Sequence, residues 1–228
     1  MESINIVFQW GPIGITSTVV TTWLLIALIG LSAWLATRRL SLDPSRLQTV
    51  LEGAVLTIED AIEQVLPGQA RLILPFVGSL WIFLAFANLV GIIPGLNSPT
   101  ADLSTTAGLA LLVFLSVHWY GIRSGGLLAY LGHYLKPSPI MLPFHIVSEI
   151  SRTVALAVRL FGNIMSLESA ALLVLVVAGF LAPVPVLMLH IVEALVQAYI
   201  FGMLALVYIS GSIQSQQEVL DKKTGEHP

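Results

Sequence analysis

Four polar or charged side chains interrupt the otherwise apolar stretch between residues 150 and 170: Arg152, Arg159, Asn163 and Glu168. An arginine at the centre of a bilayer costs roughly 2.5–3.5 kcal/mol on insertion scales, so a chain keeps one only where water or a counter-charge receives it. The guanidinium also stays protonated under ordinary conditions. A permanent cation at membrane depth, with an amide one turn further along the helix, indicates an ion path with a barrier in it.

A second polar set occurs on the following apolar segment, at His190, Glu193 and Gln197. On an ideal helix at 100° per residue, these three side chains lie within about 60° of one another. Glu168 lies about 180° from Arg159 around its own helix, and roughly 13 Å further along it by the helical rise. One helix therefore presents a fixed cation to one neighbour and a titratable carboxylate to another.

A reversal of the chain near Leu181 brings the two polar sets together. It places Glu168 within reach of His190 and Glu193, toward the outer side, whereas the arginine and Gln197 lie deeper. The alternative is a buried polar network that only holds helices together, but three titratable groups are costly where alanine or glycine would pack. Metal binding is the weaker interpretation, because the His-x-x-Glu spacing differs from the HExxH motif of zinc proteases.

The composition is typical of a membrane protein. Of 228 residues, 56% are hydrophobic and 10% are charged, with a mean hydropathy of +0.90, whereas soluble domains are about 25% charged. There is no cysteine, which excludes disulfides and thiolate chemistry. No GxxxxGK[ST] loop for nucleotide phosphates occurs either. We therefore expect no cofactor, no bound nucleic acid and no catalytic site in this chain.

The apolar segments predict an all-α polytopic membrane protein. Uncharged stretches of about 20 residues are long enough to span, and an apolar stripe opposite acidic residues indicates an amphipathic helix on the membrane surface. The last two spans, about 58 Å and 42 Å long, exceed the ~30 Å hydrocarbon core and must tilt or bend. The predicted elements are an external N-terminus at 1–13, membrane spans at 14–36, 73–93 and 103–122, a surface helix at 44–66, long tilted helices at 140–178 and 186–213, and a polar cytoplasmic tail at 214–228.

Basic residues fall on one side of this predicted topology. The N-terminus and the loops after the second and fourth spans carry none. By the positive-inside rule the basic side is the cytoplasm, which leaves the N-terminus outside and the C-terminus inside. The residues on the basic side are Arg38, Arg39, Arg46, Arg71, Arg123, Lys136, Lys222 and Lys223.

Three further polar residues lie within or beside the spans. Asn88, near the end of the second span, is interpreted as the source of an interhelical hydrogen bond rather than as a functional group. His118, near the end of the third span, is interpreted as structural or interfacial. The sequence assigns no role to His145.

Two segments on the last two helices carry a resemblance to a known family. Arg-Leu-Phe-Gly-Asn at 159–163 and Gln-Ala-Tyr-Ile-Phe at 197–201 resemble the signature segments of F-type ATP synthase subunit a, and Pro-Thr-Ala-Asp at 99–102 extends the resemblance. The resemblance implies a membrane stator whose long hairpin lies against the rotating ring of subunit c. The other implied partners are the lipid bilayer of a bacterial plasma membrane, the peripheral-stalk b subunits and, indirectly, the catalytic head.

The resemblance also implies roles for single residues. Arg159 matches the essential arginine, Asn163 the polar residue one turn later, and Gln197 the glutamine that faces the arginine. Glu168 and His190 match positions that carry exchanging acid or imidazole groups in the half-channel through which ions enter.

Other matched positions lie at the two ends of the implied path. Asp102 matches an acid at the outer mouth. Arg152 matches a position that is often basic, and we expect it to pair with Glu149 at the cytoplasmic exit, in a structural or a transport role. The chain departs from the family at Thr153, where proline is frequent.

Two other classes of membrane protein compete with this interpretation. A proton-coupled secondary transporter also uses intramembrane Glu, His and Arg, but it would have inverted repeats and broken helices, which the sequence does not indicate. A passive assembly factor would have no need of Arg159. The sequence leaves open whether H⁺ or Na⁺ is carried, because ion choice depends mainly on the carboxylate site of the partner ring.

Overall fold

Six α-helices dominate the part of the chain that the computed structural model describes, residues 6–10, 13–38, 46–93, 98–127, 130, 142–179 and 184–224. A two-stranded antiparallel ribbon, β1 (Ile6–Trp10) and β2 (Ile13–Thr16), precedes them. The helices are α1 (Ser17–Thr37), α2 (Arg46–Val65), α3 (Ala70–Val90), α4 (Leu103–Gly125), α5 (Leu142–Ala178) and α6 (Val184–Thr224), with a 3₁₀ turn at Pro99–Ala101 before α4.

Five of these helices, all but α2, are long and apolar enough to cross a membrane. The prediction of an all-α polytopic fold with five spans and one amphipathic helix is therefore confirmed. α5 has 37 residues and α6 has 41, which corresponds to about 56 Å and 62 Å at the helical rise. Both are about twice as long as the ~30 Å hydrocarbon core, so neither fits upright inside it.

The first span begins at Ser17, not at residue 14 as the hydrophobic pattern predicted. Residues 13–16 pair with β1 instead of entering the helix. Ile13 and Ile15 are β-branched and favour extended backbone. These apolar positions therefore pair as a strand and do not begin the membrane helix.

The second span is displaced by three residues toward the N-terminus relative to the predicted range 73–93, since α3 begins at Ala70 and ends at Val90. Residues 91–93 form a turn ahead of Pro94. The turn follows from the proline, because the residues before a proline are disfavoured in the α-helical conformation.

The last helix runs further than predicted. α6 continues to Thr224, so residues 214–224, expected to be a polar tail, are helical. Gln216 in this extension is fully buried, as is Ile213 just before it. Gly125 on α4 admits the glutamine, since a Cβ added at Gly125 would lie 2.8 Å from Gln216 Oε1. Packing against α4 therefore extends the helix past the end of its apolar pattern.

The core lies where α3 and α4 pack against α5 and α6. Trp81 of α3 stacks on Tyr199, with 5.8 Å between ring centroids, and its Nε1 donates to the Tyr199 carbonyl at 3.1 Å. Gly202 makes room for the indole, because a Cβ there would collide with Nε1. Gly121 on α4 similarly admits Ser212 of α6. Small residues therefore let α6 approach both neighbours closely, as is common between membrane helices.

α1 and α2 lie at the periphery. Leu25 is the one buried residue among the described positions of α1, so nearly the whole helix faces outward. The second half of α2 packs through the fully buried Ile62, whereas Leu47 and Val50 in its first half are exposed. The apolar face predicted for the surface helix therefore packs against the rest of the chain in its second half. In its first half this face is exposed.

Candidate functional site

Arg159 lies on the face of α5 that points away from the rest of the chain. Its side chain is exposed, and it makes no hydrogen bond or ion pair within the residues that the structure describes. Leu160 and Ile164, on the inner face, are fully buried in the core. Ser166, which shares the outer face with the arginine, is exposed. α5 therefore leaves the guanidinium available to a partner outside the chain.

The hairpin of α5 and α6 brings Asn163 and Gln197 together. Asn163 Nδ2 donates to Gln197 Oε1 at 2.8 Å. The midpoint of the chain between these two residues is position 180, one residue from the predicted reversal at Leu181. Gln197 is 1% exposed, and its Nε2 has no hydrogen-bond partner in the described part of the chain. Within the described residues the glutamine is bonded to the asparagine, and its implied position facing Arg159 stays a prediction.

Glu168 and His190 meet at Gly91, just after the end of α3. A Cβ added at Gly91 would lie 2.5 Å from Glu168 Oε1 and 3.4 Å from His190 Cε1, so both side chains border space that only glycine leaves open. Glu168 Oε1 also accepts a hydrogen bond from the backbone N–H of Ser98 at 2.9 Å. The structure therefore brings the carboxylate and the imidazole to one point, from two different helices.

His190 is fully enclosed, at 0% exposure. Neither ring nitrogen has a hydrogen-bond partner among the described residues. Buried polar atoms are paired in the great majority of cases, so each exception needs an explanation. An imidazole beside a carboxylate, without a fixed partner, can take up or release a proton at either nitrogen.

Glu193 is not among the nearest side chains at Gly91, which Glu168 and His190 border. It is partly exposed on α6 and forms no hydrogen bond or ion pair within the described ranges. In the same ranges, no three His, Asp or Glu side chains are arranged to hold a metal ion. The structure therefore brings two of the three titratable groups to one point, and the participation of Glu193 stays a prediction.

A chain of hydrogen bonds that the sequence did not predict continues from Glu168. Ser98 Oγ and Thr100 Oγ1 lie 2.7 Å apart, and Thr100 Oγ1 donates to Asn88 Oδ1 at 2.7 Å. Asn88 Nδ2 donates to the Ala194 carbonyl at 3.0 Å, which confirms the interhelical hydrogen bond expected of this asparagine. The three polar residues are buried. The one signal of Ser98 and Thr100 in the sequence is their place on either side of Pro99, in a polar segment that is typical of a turn.

Asp102 is the N-cap of α4. Its Oδ1 accepts a hydrogen bond from the Ser104 N–H at 2.8 Å, which is the usual geometry of a helix cap. The side chain is partly exposed, and no hydrogen bond of the described residues joins it to Glu168 or His190. Its capping role is clear, and its role as an acid at the outer mouth stays a prediction.

A second polar region lies on the other side of Arg159 along α5. Arg152 Nη1 is 3.6 Å from Glu149 Oε1, which confirms the predicted ion pair, and the guanidinium also lies 5.2 Å from the Tyr208 ring centroid. Both charged residues line a cavity of about 370 Å³ between α4, α5 and α6. Polar groups of the same cavity come from Tyr130, His145, Ser148, Ser212 and Ser215.

A family model for the ATP synthase A chain matches residues 19–210. The chain belongs to the ATP synthase subunit a family. Its relatives include ATP synthase subunit a 2 of Pelobacter propionicus, 62% identical over 215 residues that cover 94% of each chain. Subunit a 1 of Hahella chejuensis is 64% identical over 208 residues, 91% of this chain and 88% of the relative. Subunit a of Legionella pneumophila is 58% identical over 211 residues, 92% of each chain.

Membership of the subunit a family makes the chain a stator subunit of an F-type ATP synthase and a non-catalytic component of that complex. The bacterial relatives and the five apolar helices make it a multi-pass membrane protein. The matched range contains both hairpin motifs and the Pro-Thr-Ala-Asp segment. The site described above therefore lies inside the part that the family shares.

His118 is structural in this member of the family, one of the two outcomes predicted for it. Its Nδ1 lies 2.8 Å from the Phe114 carbonyl of the same helix. The ring packs on Phe114, with 4.3 Å between centroids, and meets Tyr130 edge-on at 5.8 Å. These contacts anchor the end of α4 beside the second polar region.

Gly91→Ala is expected to slow ion transport by the assembled ATP synthase without uncoupling it. The backbone at Gly91 is α-helical, so alanine fits the conformation, but the new Cβ would displace the Glu168 carboxylate from His190. ATP-driven acidification of inverted membrane vesicles should fall by roughly tenfold, because small displacements of transferring groups are costly. Gly53→Ala is the matched control, since nothing lies within 4 Å of a Cβ there. An unchanged rate in Gly91→Ala would show that transport does not need the positions that Glu168 and His190 take beside Gly91.

Proposed function

We propose that this chain carries protons, or sodium ions, through two offset half-channels to and from the carboxylates of a ring of c subunits. It thereby couples ion flow to rotation and to ATP synthesis or hydrolysis. The observation that carries the proposal is the position of Arg159 between two polar regions of α5. Glu168 lies nine residues to one side, about 13 Å, and Glu149 lies ten residues to the other, about 15 Å by the helical rise.

The outer half-channel is assigned to the Glu168–His190 pair. A carboxylate and an imidazole that both border Gly91, the imidazole without a hydrogen-bond partner among the described residues, offer successive acceptors for a proton arriving from outside. Asn163 lies between Glu168 and Arg159 along α5, and its hydrogen bond to Gln197 closes the hairpin at this level. These two amides would line the last step from the pair to the ring.

The inner half-channel is assigned to the cavity beside Glu149 and Arg152. Its volume of about 370 Å³ corresponds to roughly ten water molecules at their share of the liquid. The ion pair and the hydroxyl groups of its lining provide partners for such water. His145, for which the sequence analysis predicted no role, belongs to this lining.

Rotation follows from the charge state of the ring carboxylate. A proton delivered from outside neutralises it, and the neutral carboxyl can turn through lipid because its desolvation cost has fallen. After nearly a full turn it reaches the inner half-channel and ionises. Arg159, which stays charged, attracts the ionised form and blocks direct leakage between the half-channels. Each charge that crosses 100 mV releases about 2.3 kcal/mol, which is delivered as torque.

The exposed face of α5 is proposed to lie against the c ring, with both long helices tilted along it. Most of the described apolar surface of α5 is uncovered within the chain, as a partner surface requires. The peripheral-stalk b subunits would contact other uncovered helices, and the catalytic head would be reached only through them. The basic residues place the N-terminus outside and the C-terminus in the cytoplasm of a bacterial cell.

Cysteine cross-linking in the intact complex tests which face of α5 meets the ring. The chain has no cysteine of its own, so single substitutions have no background. Ser166→Cys, on the exposed arginine face, should cross-link to a cysteine beside the ring carboxylate, and the fully buried Ile164→Cys should not. Glu168→Cys should fail to cross-link and should react with small aqueous thiol reagents added from outside.

The opposite cross-linking pattern would contradict the proposal. Strong ring cross-linking at position 168, with none at 166, would mean that the ring lies against the other face of α5. Arg159 would then point away from the ring and could not be the barrier between the half-channels.

A further inference from the structure

A buried turn between α3 and α4, residues 98–100, contacts the carboxylate of the outer pair. The backbone N–H of Ser98 donates to Glu168 Oε1 at 2.9 Å. The Cβ of Ser98 lies 3.1 Å from a Cβ added at Gly91, so it borders the same space as Glu168 and His190. The place of the carboxylate beside the imidazole therefore depends on where this turn lies, and the turn belongs to neither long helix.

Thr100 fixes this turn against α3. Its Oγ1 donates to Asn88 Oδ1 at 2.7 Å and lies 2.7 Å from Ser98 Oγ. The Thr100 backbone N–H also donates to Ser98 Oγ, at 3.3 Å. The three side chains are at most 1% exposed. Side chains buried this deeply cannot replace a lost partner with bulk water, so breaking one of these hydrogen bonds is costly and the turn is firmly held.

The same asparagine also bonds the helix that carries the imidazole. Asn88 Nδ2 donates to the Ala194 carbonyl at 3.0 Å, and Ala194 follows His190 by about one helical turn. Asn88 therefore lies between α6 and the turn that contacts Glu168. The hydroxyl of Thr100 joins that turn to the asparagine. The separation of the carboxylate and the imidazole thus depends on two side-chain hydrogen bonds in series.

The direction of these hydrogen bonds shows that the network holds the turn and does not conduct protons. The carbonyl that Asn88 meets on α6 can only accept, so the amide turns its oxygen toward Thr100, which gives it the single hydroxyl hydrogen. The single hydroxyl hydrogen of Ser98 goes to the Ala87 carbonyl at 2.8 Å or to Thr100. Neither hydroxyl has a hydrogen left for Glu168, which accepts from a backbone N–H.

We propose that Thr100 is a positioning residue for ion entry, which holds the 98–100 turn so that the Glu168 carboxylate stays beside His190. The inference rests on the proposed function, in which these two groups form the outer half-channel. Thr100 acts through Glu168 and does not itself bind the ion. Its role differs from that expected of Asp102 in the same segment, which caps α4 and is only partly buried.

Initial rates of ATP-driven pumping by the complete complex in inverted vesicles test this role. Thr100→Val keeps the β-branched shape and removes the hydroxyl, and the rate should fall roughly tenfold because small displacements of transferring groups are costly. Thr100→Ser keeps the hydroxyl and should recover most of the rate. Thr106→Val is the matched control, since this threonine is equally buried but donates to the Leu103 carbonyl of its own helix at 3.1 Å. It should leave the rate unchanged.

A double-mutant cycle separates positioning from general stabilisation of the fold. In the Glu168→Gln background no carboxylate remains to be positioned, so Thr100→Val should then cost less than about twofold, as expected when one residue acts through the other. Equal fold losses in both backgrounds would overturn the inference, because Thr100 would then only stabilise the subunit. Co-purification of each variant with the complete complex shows that it has folded and assembled.

Amide hydrogen exchange distinguishes a failure of this inference from a failure of the proposed function. A peptide that contains residues 98–102 should exchange several-fold faster in Thr100→Val than in Thr106→Val or the unmodified complex. Unchanged exchange would overturn the inference and leave the proposed function standing, since the turn would not depend on Thr100. Faster exchange together with full pumping by Glu168→Gln would overturn the proposed use of Glu168 in the outer half-channel, and with it the role of Thr100 in transport.

Discussion

Arg159→Ala is expected to abolish ATP-driven ion pumping and ion-driven ATP synthesis, a loss of at least roughly a hundredfold for a group that stabilises charge in an apolar site. Passive leak through the membrane sector should persist or rise, because the barrier between the two polar regions is removed. Both can be measured in inverted membrane vesicles, as ATP-dependent acidification and as proton permeability after the catalytic head is stripped off.

A second substitution tests whether any positive charge at position 159 is sufficient or whether the permanent, planar charge of arginine is needed. Arg159→Lys should fail nearly as badly as alanine, since an ammonium can lose its proton in an apolar site and lacks the planar fork. Arg46→Ala is the matched control, because it removes an exposed arginine of α2 that belongs to neither polar region and should leave coupled pumping unchanged. Normal coupled pumping by Arg159→Ala would contradict the proposed function as a whole.

Glu168→Gln combined with His190→Ala is expected to lower the initial pumping rate by more than the product of the two single effects. Each single variant should be slow but coupled, because the remaining group can still pass protons. The two side chains both border Gly91, and residues that share one network typically show interaction energies of 0.5–3 kcal/mol, a factor of roughly 2 to 150 in rate. Initial rates of acidification in the four vesicle preparations give the interaction directly.

Two controls use the carboxylates that the structure leaves outside the pair. Glu193→Gln combined with His190→Ala should be close to multiplicative, since Glu193 makes no hydrogen bond or ion pair among the described residues. Asp102→Asn keeps a good N-cap for α4 while it removes the charge, so any loss it causes reports the charge alone. Multiplicative behaviour of Glu168→Gln with His190→Ala would indicate separate structural roles.

Helical periodicity was sufficient to predict on which faces of the long hairpin Arg159 and Glu168 lie. The wheel placed Arg159 and Glu168 on opposite sides of α5, and the structure leaves the first exposed and joins the second to the loop before α4. A reversal near Leu181 predicted the register of the Asn163–Gln197 contact within one residue. Both results depend only on the regular geometry of two continuous helices.

Features that depend on tertiary packing could not be predicted in this way. Ser98 and Thr100 lie in a loop, and no periodicity states that their hydroxyls join Asn88 to the carboxylate site. The extension of α6 follows from packing beside Gly125, which a hydropathy pattern does not register. Gly91 was overlooked because its contribution is the absence of a side chain.

The exposure of Arg159 has a consequence for how the complex is put together. In a free subunit the guanidinium would face hydrocarbon, at a cost of roughly 2.5–3.5 kcal/mol on insertion scales. Docking against a surface that carries a carboxylate removes this cost, which favours the assembled state over the solitary chain by a comparable amount. The charge proposed to divide the ion path would therefore also favour oligomerisation, and an orphan copy of the subunit would be the less stable species in the membrane.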